Sequence, residues 1–249
     1  LVALGYEAEG MTIGLGIGDY SEASTAAAVA YAESRGLPLR RIDLRADYGY
    51  DIPTAAAVTR RVPCSSCGMS KRHLIDAAAL EGGFDVVATG HNLDDEAAVL
   101  LGNVLHWQTE YLGRQVPVLP ARDGFPRKVK PLVRLSERET AAYCVLRGID
   151  YIVEECPMAA GNRHLRYKEA LNAIEAGSPG TKHAFYFEFL AKAAGRFRPD
   201  AAAAQDGLVP CASCGAPTTG EVCAFCRLVE RVEGAEPVPV ELVRNGRRR

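Results

Sequence analysis

Phe84-Asp85-Val86-Val87-Ala88-Thr89-Gly90-His91-Asn92-Leu93-Asp94-Asp95-Glu96 is the stretch on which the fold class turns. Phe84 to Thr89 is a short apolar run between glycine turns, which predicts a strand buried on both faces. Gly90 turns the chain, and Asp94, Asp95 and Glu96 put negative charge in the first turn of a helix reaching about Trp107, where the helix dipole favours it. The same order repeats on either side. Upstream, Met11 to Ile17 predicts a strand, Ser21 opens an alanine-rich helix to about Arg35, and Leu39 to Leu44 alternates like a second strand. A further helix follows the Cys64-Ser65-Ser66-Cys67-Gly68 turn and runs to Glu81-Gly82-Gly83. Downstream, Ser136-Glu137-Arg138-Glu139 is a capping box before a helix ending at Gly148, and Asp150 to Glu154 reads as the next strand. Tyr167 to about Phe197 is helical, with a break at Ser178-Pro179-Gly180. Such alternation predicts an α/β fold with a doubly wound, mostly parallel sheet.

The chain has 249 residues, 48% of them hydrophobic and 24% charged, within the range of ordinary globular proteins. About 70% of its unfolded surface can be buried at this size, so stability does not require disulfides. Lys and Arg number 29 against 31 Asp and Glu, a formal charge of −2, which excludes a polycation. Any nucleic-acid partner must then meet a local basic patch. The clustered basic segments are Arg127-Lys128-Val129-Lys130, Arg163-His164-Leu165-Arg166-Tyr167-Lys168 and Lys182-His183, with Arg247-Arg248-Arg249 in the tail. No apolar run approaches the roughly 18 residues of a membrane helix and no basic-then-apolar leader is present, so a soluble cytoplasmic protein with no membrane partner is expected.

The eight cysteines carry most of the chemistry. Cys211, Cys214, Cys223 and Cys226 form two Cys-x2-Cys knuckles eight residues apart, the pattern of a tetrahedral structural zinc site. Cys64 and Cys67 are a lone Cys-x2-Cys, open to a redox dithiol or to two metal ligands. Cys156, in Glu154-Glu155-Cys156-Pro157-Met158, follows a predicted strand, and strand ends in a parallel sheet converge on one crevice. Three thiolates meeting there could hold a four-iron cluster with one iron open. Cys144 falls in an apolar helical pattern and is expected in the core. His106 and Trp107 are assigned to helix packing. Gly14-Leu15-Gly16-Ile17-Gly18 fails as a dinucleotide fingerprint because its third glycine comes too early.

Taken together, Leu15-Gly16-Ile17-Gly18-Asp19-Tyr20-Ser21, Pro63-Cys64-Ser65-Ser66-Cys67-Gly68, Gly90-His91-Asn92-Leu93-Asp94-Asp95-Glu96, Val129-Lys130-Pro131-Leu132, Tyr151-Ile152-Val153-Glu154-Glu155-Cys156-Pro157 and the terminal cysteine module resemble the TtuA-type tRNA 2-thiouridine synthetases of the ATP-pyrophosphatase superfamily. The resemblance spans Leu1 to about Arg227. It implies adenylation by ATP of a uridine or ribothymidine carbonyl oxygen in tRNA, usually at position 54, followed by displacement of AMP by sulfur. It further implies a [4Fe-4S] cluster on Cys64, Cys67 and Cys156, with sulfide supplied by a thiocarboxylated ubiquitin-like carrier. Lys71 and Asp95 are then the catalytic pair, Asp95 moving a proton or holding Mg2+. Ile13 and Gly90 fall where the family's backbone contacts adenosine. A homodimer is usual for such enzymes.

On this resemblance, 1–197 is an ATP-binding domain, 198–208 a linker, 209–230 a zinc module and 231–249 a tail. Leu1 to Tyr6 reads like the end of a helix closing on Gly5, and the family's first zinc module, first strand and Ser-Gly-Gly-x-Asp-Ser phosphate loop would lie ahead of it. The chain is therefore expected to be a fragment lacking the central strand of the order 3-2-1-4-5, and to thiolate nothing by itself. Two other readings are a thiolase of the wobble uridine or another tRNA position, and a non-catalytic iron–sulfur or zinc RNA-binding module.

Overall fold

Strands and helices alternate along most of the chain: β1 (Gly10–Gly14), α1 (Gly18–Ser34), β2 (Leu39–Asp43), α2 (Leu44–Tyr48), α3 (Ile52–Thr59), α4 (Pro63–Glu81), β3 (Val86–Ala88), α5 (Leu93–Leu105), α6 (Thr109–Leu112), β4 (Val118–Leu119), β5 (Arg127–Val129), α7 (Glu137–Leu146), α8 (Arg163–Gly177), α9 (Thr181–Lys192), β6 (Val209–Pro210), β7 (Pro217–Thr218) and α10 (Ala224–Val232). The computed structural model describes residues 1–122, 124–197 and 207–238. Most of the expected linker, and the tail from 239 onward with Arg247-Arg248-Arg249, lie outside the described residues. The chain divides into two units, one of Leu1–Ile75, Arg147–Ala160 and Val222–Arg249, the other of Asp76–Leu146 and Gly161–Glu221.

In the first unit β1 and β2 pair in parallel, with Ile13 opposite Ile42 and Gly14 opposite Asp43. The right-handed crossover between parallel strands requires a helix, which α1 supplies. Ser21 Oγ accepts from the Ile17 amide at 3.0 Å, and the helix begins three residues before Ser21, at Gly18. The strand expected over Leu39 to Leu44 stops at Asp43, because the Asp43 carboxylate accepts the amides of Arg45 and Ala46, both at 2.9 Å, and caps α2. Asp51 caps α3 in the same way through Thr54 N at 2.8 Å and pairs with Arg45. These caps explain the glycine that ends β1 and one in the loop after it. A Cβ on Gly14 would collide with the Asp43 carboxylate, and one on Gly16, at φ +66, with the Asp51 side chain. Ile17, Leu44, Ile52 and Leu74 form the buried apolar centre of this unit.

In the second unit β5 lies between β3, which it pairs in parallel, and β4, which it pairs antiparallel. The Phe84 to Thr89 run contracts to Val86–Ala88, and Val86 and Ala88 are exposed rather than buried. As an edge strand, β3 has a ladder neighbour on one side only among the described residues. The core forms instead where α5 packs against α8 and α9, around Leu93, Leu100, Leu112, Val133 and Tyr186. α5 starts as its acids and Asn92 predict: Asn92 Oδ1 accepts from Asp95 N at 3.0 Å, and Asp95 Oδ2 accepts from Asn92 N at 3.1 Å. The Ser136–Glu139 capping box also forms, at 3.2 Å and 2.7 Å.

Three expectations fail. Asp150 to Glu154 forms no strand, because this segment finds no ladder partner among the described residues. Cys144 is not core: α7 buries none of its residues, and Val145 and Leu146 beside it are exposed. Trp107 is 72% exposed at φ 48, where the helix has ended, while His106 Nε2 hydrogen-bonds Tyr167 Oη at 3.1 Å.

Candidate functional site

Cys64, Cys67 and Cys156 belong to one unit, although 89 positions separate the second from the third. Cys64 and Cys67 are three apart at the start of α4, so both point from the same face. That helix is anchored by Ser70, whose hydroxyl donates to Ser66 O at 2.9 Å and meets the Tyr50 hydroxyl at 2.8 Å. Burial pushes Tyr50 up to about 12, so it stays a neutral anchor at physiological pH.

Cys156 arrives on the irregular chain before a single 3-10 turn, Pro157–Ala159. The Met158 and Ala159 amides donate toward its sulfur, and Met158 O lies 3.9 Å from Cys64 Sγ. One short turn therefore touches two of the three cysteines. Burial pushes the Cys67 thiol up, the Lys71 ammonium draws it back, and Cys156 and Cys64 push it further up. Burial likewise raises Cys156, opposed by the Met158 amide. Each thiol thus sits within electrostatic reach of the others. They are not, however, collapsed into a single-ion cage: the only His, Cys, Asp or Glu group among the described residues whose ligand atoms all lie within 4.8 Å of one another is Cys211, Cys214, Cys223 and Cys226.

Lys71 follows Cys67 by one helical turn and donates to its sulfur while staying exposed. Ile13 lies near the end of β1 in this same unit, half-buried. Sequence reasoning assigned no role to Tyr20. In the first turn of α1 its phenol is raised by burial and then by Cys156 and Cys67, so it too borders the thiols. Its place just after the glycine loop was the signal available in the sequence.

Gly90 and Asp95 lie in the other unit. Gly90 is exposed, and a Cβ there would meet nothing, so no packing demands this glycine. Beside it Thr89 Oγ1 and His91 Nδ1 hydrogen-bond at 2.8 Å. Asp95 is held at both oxygens, Oδ2 by the Asn92 amide and Oδ1 by Lys168 Nζ at 2.7 Å. Lys168 is half-buried between Asp95 and Glu137. Desolvation alone would lower its pKa, but hydrogen bonds and charge from the two acids raise it on balance.

The lysines of the basic segments read from sequence have partners within the unit. Lys168 serves Asp95, and Lys182 is buried against Asp94 at 2.6 Å and Asn172 at 2.7 Å. Lys128 pairs with Asp76 at 2.7 Å, and Lys130 with Glu96 at 2.6 Å. The lysines of all three segments are neutralised by carboxylates of their own unit.

The third set of cysteines is local. Val209 pairs with Thr218 in the β6–β7 hairpin, Cys211 N donates to Ala216 O at 2.9 Å, and the Gly215 amide donates back to Cys211 O at 2.8 Å. Cys223 caps α10, its sulfur accepting from Cys226 N at 3.4 Å. Such turns aim four sulfurs at one point, as a tetrahedral ion requires.

No protein-family model matches the chain. It is 52% identical, over 93% of its length and 71% of the relative's, to a tRNA-5-methyluridine(54) 2-sulfurtransferase of Thermus thermophilus. It is 44% identical, over 91% of its length and 72% of the relative's, to a protein of the same name from Pyrococcus horikoshii. Among solved structures, the U34-tRNA thiolase NcsA from Methanococcus maripaludis, determined with its [4Fe-4S] cluster, superposes with a TM-score of 0.64 at 24% identity. That match covers 73% of this chain and 62% of the other, and it bears on the fold alone. On the sequence identities, the chain belongs to the family of tRNA-5-methyluridine(54) 2-sulfurtransferases.

Proposed function

We propose that the chain 2-thiolates 5-methyluridine at position 54 of tRNA: the base's O2 attacks the α-phosphate of ATP, pyrophosphate leaves, and sulfide then displaces AMP from C2. The observation that carries this reading is the gathering of Cys64, Cys67 and Cys156 in one unit with Lys71 on Cys67. Three thiols spaced too widely for a single ion suit a [4Fe-4S] cluster, whose corners spread its ligands apart. Bound there, the cluster would supply an iron without a protein ligand at which sulfide can be held. The Met158 and Ala159 amides would donate to a ligating Cys156 sulfur and favour its ionised form.

Lys71 is exposed and, besides its bond to Cys67, has N–H donors to meet the phosphate or the charge developing as AMP departs, where a fixed cation lowers the barrier. Asp95 holds Mg2+ or moves the proton, oriented by Asn92 and Lys168. Backbone at Ile13 and Gly90 contacts the adenosine. Cys211, Cys214, Cys223 and Cys226 hold Zn2+. Position 54 is favoured over the wobble position because the relatives at 52% and 44% identity are named for it, whereas the neighbour named for U34 is 24% identical. Sulfide would come from a ubiquitin-like thiocarboxylate carrier, and the enzyme would work in the cytoplasm as a homodimer; no helix among the described residues is long and apolar enough to cross a membrane. The fold reading is extended likewise, to a doubly wound, mostly parallel sheet: β1 pairs β2 in parallel and β3 pairs β5 in parallel.

Anaerobic reconstitution of the wild type and of Cys156→Ser tests the reading. The wild type should take up iron and develop visible absorption and, within a polypeptide that also carries the phosphate loop, convert position 54 to the 2-thio nucleoside. Cys156→Ser should lose iron and product while keeping its zinc. Equal iron in both proteins would overturn the ligand assignment.

A further inference from the structure

The first unit carries a concave surface that the thiolation chemistry does not use. The end of α3, the middle of α4 and the length of α10 enclose a cavity of about 460 Å³. Arg61, Arg227 and Arg231 line it with the Thr59 hydroxyl, against a single acid, Glu230. The residues that bring it together are 166 positions apart, from Arg61 to Arg227, so no run of charge in the sequence announces it. α10 is fixed on α4 by Phe225, whose ring stacks on His73 at 4.1 Å and meets Tyr48 edge-on at 5.3 Å. Leu228 and Val232 are buried on the same side of α10. Its arginines are therefore presented by a seated helix.

Their state contrasts with that of the lysines in the second unit. Lys128, Lys130, Lys168 and Lys182 each have a carboxylate within 2.7 Å. Among the described residues no carboxylate pairs with Arg61, Arg227 or Arg231. Arg227 spends one N–H on Val222 O at 2.7 Å and keeps the rest of its fork. Arg60, next to the pocket, stands at φ 53, outside the region a non-glycine residue ordinarily adopts, and turns the chain directly into Arg61. Guanidinium forks match phosphate oxygens in pairs. In a chain of net charge −2, an unneutralised concave cluster of this kind is a place for an external polyanion.

We infer that this pocket between α3, α4 and α10 binds the phosphate backbone of the tRNA. The inference rests on the tRNA reading above and assigns a surface to it. Because α10 lies on the face of α4 away from Cys64 and Cys67, RNA held there engages the helix that carries the cysteines without covering them.

The test is binding of a tRNA transcript to the zinc-loaded, cluster-reconstituted enzyme across a potassium chloride series, for wild type, Arg227→Ala/Arg231→Ala and Arg227→Lys/Arg231→Lys. The Ala pair should lower affinity about 10- to 30-fold near physiological salt and flatten the plot of log affinity against log salt by about two contacts. The Lys pair, which keeps the charge, should retain the wild-type slope. Zinc and iron contents equal to wild type identify variants whose fold is intact. A wild-type slope and affinity in a metal-replete Ala pair would overturn the pocket assignment, as would weakened binding of an acidic protein partner with tRNA binding unchanged. Failure of the wild type itself to bind tRNA would count against the proposed function instead.

Discussion

The charges around α5 and the sulfurs at the start of α4 are built on opposite plans. Around α5 every key ion is matched: Asp94 receives Lys182 and the Glu137 amide, and Glu96 receives Lys130, Gln115 and the Tyr186 hydroxyl. Burial and the neighbouring Glu96 push the Tyr186 phenol up, so it stays a neutral donor. At the start of α4 burial works against the ionisation of Cys67 and of its neighbour Cys156, with an exposed ammonium and two amides to offset it. A buried charge with a complete set of partners holds position. A group left short of partners is available to a ligand. The paired network is thus a mount, and the cysteine face is where binding energy remains to be gained.

Breaking the mount should cost the most stability. Lys182→Ala leaves the Asp94 carboxylate buried without its cation, which typically costs about 3–5 kcal/mol; urea unfolding would measure it. The paired replacement Lys182→Met/Asp94→Asn should recover a large part. A cost below about 1 kcal/mol for Lys182→Ala would show that the network is not the support described here. Next comes Lys168→Met, which removes one of the two groups on Asp95. The pair is partly exposed, so the stability loss should be about 1–3 kcal/mol. The turnover number should fall about 10- to 100-fold with the KM for ATP and the iron content nearly unchanged, because displacing a reacting group by a fraction of an ångström acts on the chemical step. Lys168→Arg should restore part of the rate. A rise in KM alone would assign Lys168 to substrate binding.

The two plans were not equally legible in the sequence. The four-cysteine module could be read whole, since its ligands fall within 16 residues and its spacing is itself the geometry. Cys64, Cys67 and Lys71 share a face by helix periodicity, but Cys156 was joined to them by a strand-end argument and by family likeness, and its approach depends instead on an irregular turn. Asp150 to Glu154 looked like a strand and is not one: alternation is local, whereas a ladder needs a neighbour. β5 shows the converse, since Arg127-Lys128-Val129 read as a basic patch and is the middle strand of its sheet. The partners of the lysine segments were illegible for the same reason. Lys130 finds Glu96 across 34 positions and Lys182 finds Asp94 across 88, separations at which no charge pattern is visible.

A smaller effect probes the edge of the mount. Gly180 precedes α9 and offers no side-chain cap, yet the Glu175 carboxylate accepts the Gly180 amide at 2.6 Å and the Lys182 amide at 2.7 Å. These two amides, the Lys182 one foremost, hold its pKa below the usual glutamate value. The stabilisation is therefore fully present above about pH 4.3, the ordinary glutamate value, and is lost as pH falls through the lower folded value. Glu175→Ala should lower stability by about 1 kcal/mol at neutral pH, the usual worth of a lost cap. That difference should shrink toward zero in strong acid. A penalty independent of pH would assign Glu175 to packing.

Cys67→Ser should disturb the fold least and function most. It exchanges sulfur for oxygen in a half-buried position, keeps a polar atom facing Lys71, and leaves Ser66, Ser70 and Leu74 to seat α4 as before. Unfolding of the metal-free protein should change by less than about 1 kcal/mol, within the range of substitutions that empty no core site. Iron uptake on reconstitution, in contrast, should be abolished, because alkoxide is a poor substitute for thiolate on iron. The comparison between the two regions would fail if the apo stabilities of Cys67→Ser and Lys182→Ala were alike. A cysteine as costly to replace as a buried ion pair would be part of the scaffold, and the sulfur face would then hold the unit together before any metal arrived.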